Sequence, residues 1–232
     1  MRNILDKAPA TELHGISLQA TRLVTDSDLE GRDVLDIGCG FGWFELYGLA
    51  RGVHSITGIE ITERDLETAR ANVNAPNVRL QTASATNLPF DDASFDTVVC
   101  WEVLEHIPVN TEPQAFQEIA RVLRPGGHLY LSTPHASLTA RAFDPAWWLI
   151  GHRHYTCSDL ERLARSASLS VDILETRGGP FLIASILNLY VAKWIFRRGP
   201  FYEDYVNRRV DTELGRAGGS AGCFMKATAT AT

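Results

Sequence analysis

Cysteine is sparse in this chain: four in 232 residues, at Cys39, Cys100, Cys157 and Cys223, with no CxxC pair. That spacing argues against a disulfide framework and a zinc ribbon, and no ligand spacing along the chain points to a metal. The start, Met1-Arg2-Asn3, lacks the long apolar run and small-residue cleavage site of a secretory leader, so a reducing, cytoplasmic setting is expected. The longest apolar stretch, Phe181 to Phe196, is interrupted by Asn188 and Lys193. It falls short of the roughly 20 residues that a membrane crossing needs. Positive charge is also in deficit. Lys and Arg number 22 against 28 Asp and Glu, a net charge of −6, which speaks against nucleic acid as a partner. What the chain does have is a 45% hydrophobic share, enough to build one globular domain across 1–232.

Strand-like and helix-like segments alternate. Val34 to Ile37, Ser55 to Ile59, Asn77 to Thr82, Phe95 to Trp101, His128 to Thr133 and Leu169 to Thr176 read as strands. Between them Trp43–Arg51, Thr62–Val73, Pro113–Leu123 and Ser158–Ala167 read as helices, with Thr62 and Thr156 or Ser158 as caps. Arg124-Pro125-Gly126-Gly127 is expected to stop the third of these. Such alternation predicts a doubly wound α/β sheet covered on both faces. An N-terminal helical extension, residues 1–30 with a helix over Thr11–Val24, precedes it. A helical insertion, 180–214, comes before a last alternating run that begins at Cys223.

Ligands of open α/β sheets sit at the carboxyl ends of the strands. The first such end reads Asp36-Ile37-Gly38-Cys39-Gly40-Phe41-Gly42, where glycine allows a sharp turn and close backbone approach. A dinucleotide fingerprint would need its third glycine one residue later, where Trp43 stands, and the lysine of a P-loop is absent. Asp36 beside the loop, with no Lys or Arg before Arg51, disfavours a pyrophosphate. It suits a phosphate-free cation such as S-adenosylmethionine. Glu60 ends the second strand, where an acid can take both ribose hydroxyls or remain a plain solvated charge.

Five stretches now line up in order: Val34 to Gly42, Gly58-Ile59-Glu60, Asn87 to Asp96, Val103-Leu104-Glu105-His106-Ile107 and Leu123 to Gly127. Together they resemble the class I S-adenosylmethionine-dependent methyltransferases, particularly the small-molecule enzymes of type 11. The resemblance implies a seven-stranded sheet in the order 3-2-1-4-5-7-6, strand 7 antiparallel, and S-adenosylmethionine as cofactor. It assigns Asp36, Gly38, Cys39 and Gly40 to the methionine end, Glu60 to the ribose and Ile61 to the adenine face. Ser84, Ala85 and Thr86 fall at the adenine edge, where the family commonly has an acid in place of Ser84. Trp101 and Glu102 fall beside the reacting methyl, although Trp101 also reads as an ordinary core aromatic.

Methyl transfer from a sulfonium is an in-line displacement, so positioning supplies much of the rate and a hydroxyl acceptor additionally needs a base. Histidine is the natural candidate. His106 follows the fourth strand and His154 precedes the helix after the fifth; both are expected to serve catalysis or acceptor contact. His135, His152 and Tyr155 are expected on the acceptor side. Small-molecule or glycan hydroxyls lead as acceptors, ahead of lipid-linked substrates. N- or C-methylation and a non-catalytic binding module are the alternatives. The Asn/Asp-Pro-Pro-Tyr/Phe motif of many amino-methyltransferases is missing, since Trp101-Glu102-Val103-Leu104 stands there.

Along Phe181–Phe196 the polar residues Ser185, Asn188 and Lys193 leave most of a helix circumference apolar, so something must cover it. A lid over the acceptor is the leading expectation. Peripheral membrane contact or a homodimer through 181–198 would cover it equally.

Overall fold

The structure is a computed structural model, which describes residues 12–145, 147 and 151–230; the first eleven residues of the expected N-terminal extension lie outside them. Seven strands are hydrogen-bonded in one sheet, in the order β3-β2-β1-β4-β5-β7-β6. They are β1 (Asp33–Ile37), β2 (Ser55–Glu60), β3 (Val78–Thr82), β4 (Phe95–Trp101), β5 (Leu123–Pro134), β6 (Leu169–Arg177) and β7 (Gly222–Ala229). The first five run parallel and β7 is antiparallel to both β5 and β6. The expected topology is the observed one.

Period-two side-chain alternation divides the core. Leu35, Ile37, Val98, Cys100, Leu129 and Leu131 face one side, covered by α4 (Glu112–Val122) and α6 (Cys157–Ser166). Thr156 caps α6 in a reciprocal capping box with Asp159. Val34, Val99, Trp101, Tyr130 and Phe224 face the other side. There the cover is α1 (Gly15–Leu23), α2 (Trp43–Ala50), α7 (Pro180–Tyr190) and α8 (Glu203–Leu214). The helix α3 (Glu63–Asn72), capped by the Thr62 side chain, packs beside β2 and β3. The N-terminal helix and the insertion therefore complete a layer of the sheet, with Ala20, Leu182, Val210 and Leu214 buried in it.

Two segments depart from the sequence reading. Pairing in β5 begins at Leu123, opposite Phe95, and a bulge absorbs the residues before His128 meets Thr97. Gly127 is required there, because a Cβ would lie 2.8 Å from the Asp96 carbonyl oxygen. The apolar stretch of the insertion is not one unbroken α-helix to Phe196. After Tyr190 it becomes a π-helical turn, Val191–Ile195, and Arg197 adopts a left-handed φ of 51°. Asn188 then pins the returning chain, its amide donating to the Phe201 carbonyl at 2.7 Å and accepting from the Phe201 N–H at 3.1 Å. Glu213 locks the other end: its carboxylate accepts from the amides of Gly179, Phe181 and Leu182 at 3.0–3.1 Å, satisfying free N–H groups at the start of α7. Among the described residues no helix is long and apolar enough to cross a membrane.

Candidate active site

The carboxyl ends of β1, β2, β4 and β5 lie along one edge of the sheet. After β1 the chain turns through Gly38, Gly40 and Gly42, all at positive φ. A Cβ on Gly38 would stand 2.3 Å from Val103 and one on Gly42 2.4 Å from Val73, whereas one on Gly40 would meet nothing within 4 Å among the described residues. The loop is tied to β2 by the Gly38 and Cys39 amides, which donate to the Ile59 carbonyl at 2.9 and 3.1 Å. The Cys39 side chain is buried against Leu66 and Ala69.

Three acids gather beneath this loop. Asp36 is 1% exposed, and among the described residues its Oδ1 has no hydrogen-bond partner. Glu45, in the first turn of α2, is wholly buried with both carboxyl oxygens unpartnered. Glu60 accepts the Gly40 N–H at 2.8 Å. Burial, reinforced by the charges of Glu45 and Glu60, pushes Asp36 well above the usual carboxylate range. Burial raises Glu45 to about 8, with the charge of Glu60 adding to it, and burial also raises Glu60. No Lys or Arg forms a salt bridge with Asp36 or Glu45 among the described residues. Orphaned buried carboxyls beside open backbone fit a ligand that brings positive charge and donors; they do not fit a diphosphate.

Ile61, next to Glu60, is 65% exposed, an unusual exposure for so apolar a side chain. The Ser84 hydroxyl lies 2.8 Å from that of Thr86 and also accepts the Thr86 N–H, which braces a turn around the buried Ala85. At the end of β4, Trp101 is buried against the Phe44 ring, and its indole N–H has no partner. Glu102 follows at a left-handed φ of 55°, an uncommon backbone for glutamate. Its carboxyl accepts the Ser132 hydroxyl at 2.6 Å, which only partly offsets the upward push of burial.

The histidines converge from two loops. Nε2 of His152 is 3.3 Å from Nε2 of His106 and 3.6 Å from Oε1 of the buried Glu105. On its other side, Nδ1 of His152 lies 2.9 Å from Asp144 Oδ2. His154 sits behind, its side chain 1% exposed and its Nε2 3.4 Å from the same Asp144 oxygen. Partial desolvation of its inner side, with the His152 and Arg153 charges beside it, holds His106 down to about 4, and burial holds His154 down to about 4. His106 is exposed and His154 is not, so His106 is the ring a solvent-borne molecule meets first. His135 stands apart, with Nδ1 3.3 Å from the Ser220 carbonyl. Tyr155 is buried, its hydroxyl 3.0 Å from both the Leu104 carbonyl and Glu112.

What holds the two loops together is Arg153, between the two histidines. Its guanidinium donates to the carbonyls of Leu104, Glu105, Ile107 and Pro108 and to Glu112 at 2.6 Å. One planar, permanently charged fork thus fixes the loop that carries Glu105 and His106. Glu45, Glu105, Asp144 and Arg153 were not singled out from the sequence. Glu105 stood within the Val103–Ile107 stretch without a role of its own, and Glu45 left a signal as a lone acid inside the apolar run Trp43-Phe44-Glu45-Leu46-Tyr47.

Residues 35–131 match the methyltransferase domain family of type 11. The chain is 34% identical over 165 residues to a ubiquinone biosynthesis O-methyltransferase of Paracidovorax citrulli, covering 65% of this chain and 67% of that protein. The chain belongs to the class I S-adenosylmethionine-dependent methyltransferases. A phthiotriol/phenolphthiotriol dimycocerosates methyltransferase of Mycobacterium leprae is 36% identical over 110 residues, 47% of this chain but only 40% of that protein. An S-adenosylmethionine-dependent methyltransferase structure from Mesorhizobium loti superposes with a TM-score of 0.64 at 20% identity, covering 90% of this chain and 95% of that one. This methyltransferase thus uses S-adenosylmethionine, the charged, phosphate-free ligand that its orphaned acids fit.

Proposed function

We propose that this methyltransferase methylates a hydroxyl of a small molecule whose body is apolar. S-adenosylmethionine supplies the methyl group. The chain's own residues hold it and prepare the acceptor. In this reading Asp36 and the backbone of Gly38, Cys39 and Gly40 receive the methionine end, and Glu60 the ribose. Ile61 covers the adenine, with Ser84, Ala85 and Thr86 along its edge. Trp101 and Glu102 flank the reacting centre. The whole chain is one catalytic domain, its N-terminal helix and insertion included.

The observation that carries the acceptor assignment is the exposed His106 ring backed by His152 and Asp144. The hydroxyl loses its proton to His106, and the Asp144–His152 pair stabilises the charge that forms. His154 braces Asp144 from behind, while Tyr155 and Arg153 hold the loop. His135 borders the acceptor side. The name of the O-methyltransferase relative, at 34% identity, favours oxygen over nitrogen or carbon. The apolar body is supported by the insertion, whose helix α7 packs against the short helix α5 (Leu138–Phe143) near Asp144. Leu138 and Phe143 on α5 are 86% and 55% exposed.

A second reading of the same segment rests on its far end. Trp194, Ile195 and Phe196 are 51–69% exposed beside Lys193, Arg197 and Arg198, a composition suited to an anionic membrane surface. In both readings α7 guides an apolar acceptor toward His106, and nucleic acid is not a partner. The test is transfer of labelled methyl from S-adenosylmethionine to a panel of phenols, alkyl alcohols and amines, with S-adenosylhomocysteine release as readout. Turnover on amines alone would overturn the hydroxyl assignment. Liposome sedimentation of the wild type and of Trp194→Ser decides whether the far end docks on lipid.

A further inference from the structure

We propose that Glu105, His106 and His152 form a binding site for one divalent transition-metal cation of the zinc or cobalt kind. Three donors of suitable chemistry converge there: Oε1 of Glu105 and the Nε2 atoms of His106 and His152, all within 4.8 Å of one another. The two separations from His152 Nε2, 3.3 Å to His106 and 3.6 Å to Glu105, bracket the ~3.4 Å between ligand atoms around a tetrahedral ion with bonds near 2.1 Å. Two imidazoles and one carboxylate suit zinc, cobalt or iron better than magnesium or calcium, which prefer oxygen.

Two further observations separate this cluster from a chance meeting of polar groups. Glu105 is 3% exposed, and among the described residues its Oε1 has no hydrogen-bond partner, so a buried carboxyl oxygen faces the two imidazoles unsatisfied. Leaving it so is unfavourable, and a cation removes that cost. The surroundings are also those of a supported ligand set. Nδ1 of His152 donates to Asp144 at 2.9 Å, which leaves the Nε2 lone pair pointing toward the cluster. The second oxygen of Glu105 accepts the Thr133 hydroxyl at 3.0 Å, fixing that carboxyl from behind. Arg153 fixes the loop that bears Glu105 and His106, so the donors are preorganised. The exposure of His106 gives such an ion an open side, where water or an acceptor oxygen completes its shell.

The inference rests on the reading that this cluster faces the acceptor; with an ion held by His106, a hydroxyl on the ion's open side would be acidified by the cation and give its proton to solvent instead of to His106. Binding itself is independent of the acceptor's identity and is measured without turnover. Tag-free, chelator-treated protein is titrated with Zn²⁺ by calorimetry and with Co²⁺ by visible absorption. One tight equivalent and a ligand-field band are expected. In His106→Ala, an exposed loop change that spares the core, affinity should fall at least about tenfold, with the same result in His152→Ala; Asp144→Asn should cost about 10–100-fold through the orientation of His152. Circular dichroism establishes that each variant is folded. Absence of binding to the wild type, or affinity unchanged in His106→Ala, overturns the proposal. It is equally overturned if binding survives these changes and disappears in Cys157→Ser, which would place the ion at the separate His135–Cys157–Cys223 cluster.

Discussion

The two ends of the one sheet treat acidic residues in opposite ways. At the amino ends every prominent acid has partners. Asp28 accepts from Lys226 at 2.8 Å, from the Thr25 hydroxyl at 2.7 Å and from the Tyr130 hydroxyl. Asp33 and Asp96 share Arg124 at 3.0 and 2.5 Å, and Asp33 also accepts the Ser55 hydroxyl. At the carboxyl ends Asp36, Glu45 and Glu105 are buried with oxygens that no described residue satisfies. A fold built only for stability would have paired or removed them. The difference marks where the chain expects to gain a ligand, and it does so on physical grounds alone.

Matched substitutions at the two ends test that contrast, and the largest effect is on turnover. His106→Ala should lower methyl transfer by roughly 10²–10⁴-fold with cofactor affinity unchanged, as read by steady-state kinetics and calorimetry. His128→Ala, at the opposite end beside Thr228, should leave turnover at the wild-type level. Equal losses at the two histidines would erase the distinction.

Next in size is cofactor affinity. Asp36→Ala and Glu60→Ala should each weaken S-adenosylmethionine binding by about 1.5–3 kcal/mol, the worth of a charge-assisted hydrogen bond. The comparison at the amino end is Asp33→Ala, which removes the partner of Arg124 and Ser55. It should lower the melting temperature while affinity stays constant. Unchanged calorimetric affinity in both Asp36→Ala and Glu60→Ala would refute the assignment of the carboxyl end.

These pairs also mark how far the sequence could be read. Strands and helices were legible because their apolar periodicity and caps are local: β4 was read at its observed limits, and Thr62 and Thr156 cap as expected. The β5 bulge was not, since whether Leu123 pairs with Phe95 is decided across the sheet. Nor was the break after Tyr190, where the chain must turn back to Asn188. In the site, the glycine loop was legible from backbone needs. The histidine cluster was visible only as single residues, because His106 and His152 lie 46 positions apart and are joined by Arg153 contacts with carbonyl oxygens. Main-chain acceptors carry no residue identity for a sequence to display.

Stability at the amino end gives a third test. Burial would raise Asp28, but bonds from Lys226, Tyr130 and Thr25 outweigh it and hold the carboxyl at about 2, against an ordinary 3.8. A lowered acid stabilises the fold above its unfolded value and loses that contribution as pH falls from 3.8 through 2. Asp28→Asn should therefore cost about 2 kcal/mol at pH 7 in urea denaturation, with the deficit shrinking below pH 4.

At the carboxyl end the sign reverses, and the expected effect is smaller over an accessible pH range. Burial raises Glu45 from 4.5 to about 8, with Glu60 adding to the shift. An acid raised by folding leaves stability intact below pH 4.5 and removes it progressively as pH climbs through 8, because the folded chain must then hold a charge that the unfolded chain solvates freely. Between pH 7 and 8 the cofactor-free protein should lose about 1 kcal/mol from this group, as read from urea midpoints. Glu45→Gln keeps the shape without the titration, so that part of the slope should vanish, while Asp28→Asn should leave it in place. On the proposed placement S-adenosylmethionine would bring positive charge beside Asp36, next to Glu45, and should flatten the wild-type slope as well. A slope of the same size in Glu45→Gln would mean that Glu45 does not titrate in this range, and the opposition between the two ends would then rest on hydrogen-bond geometry alone.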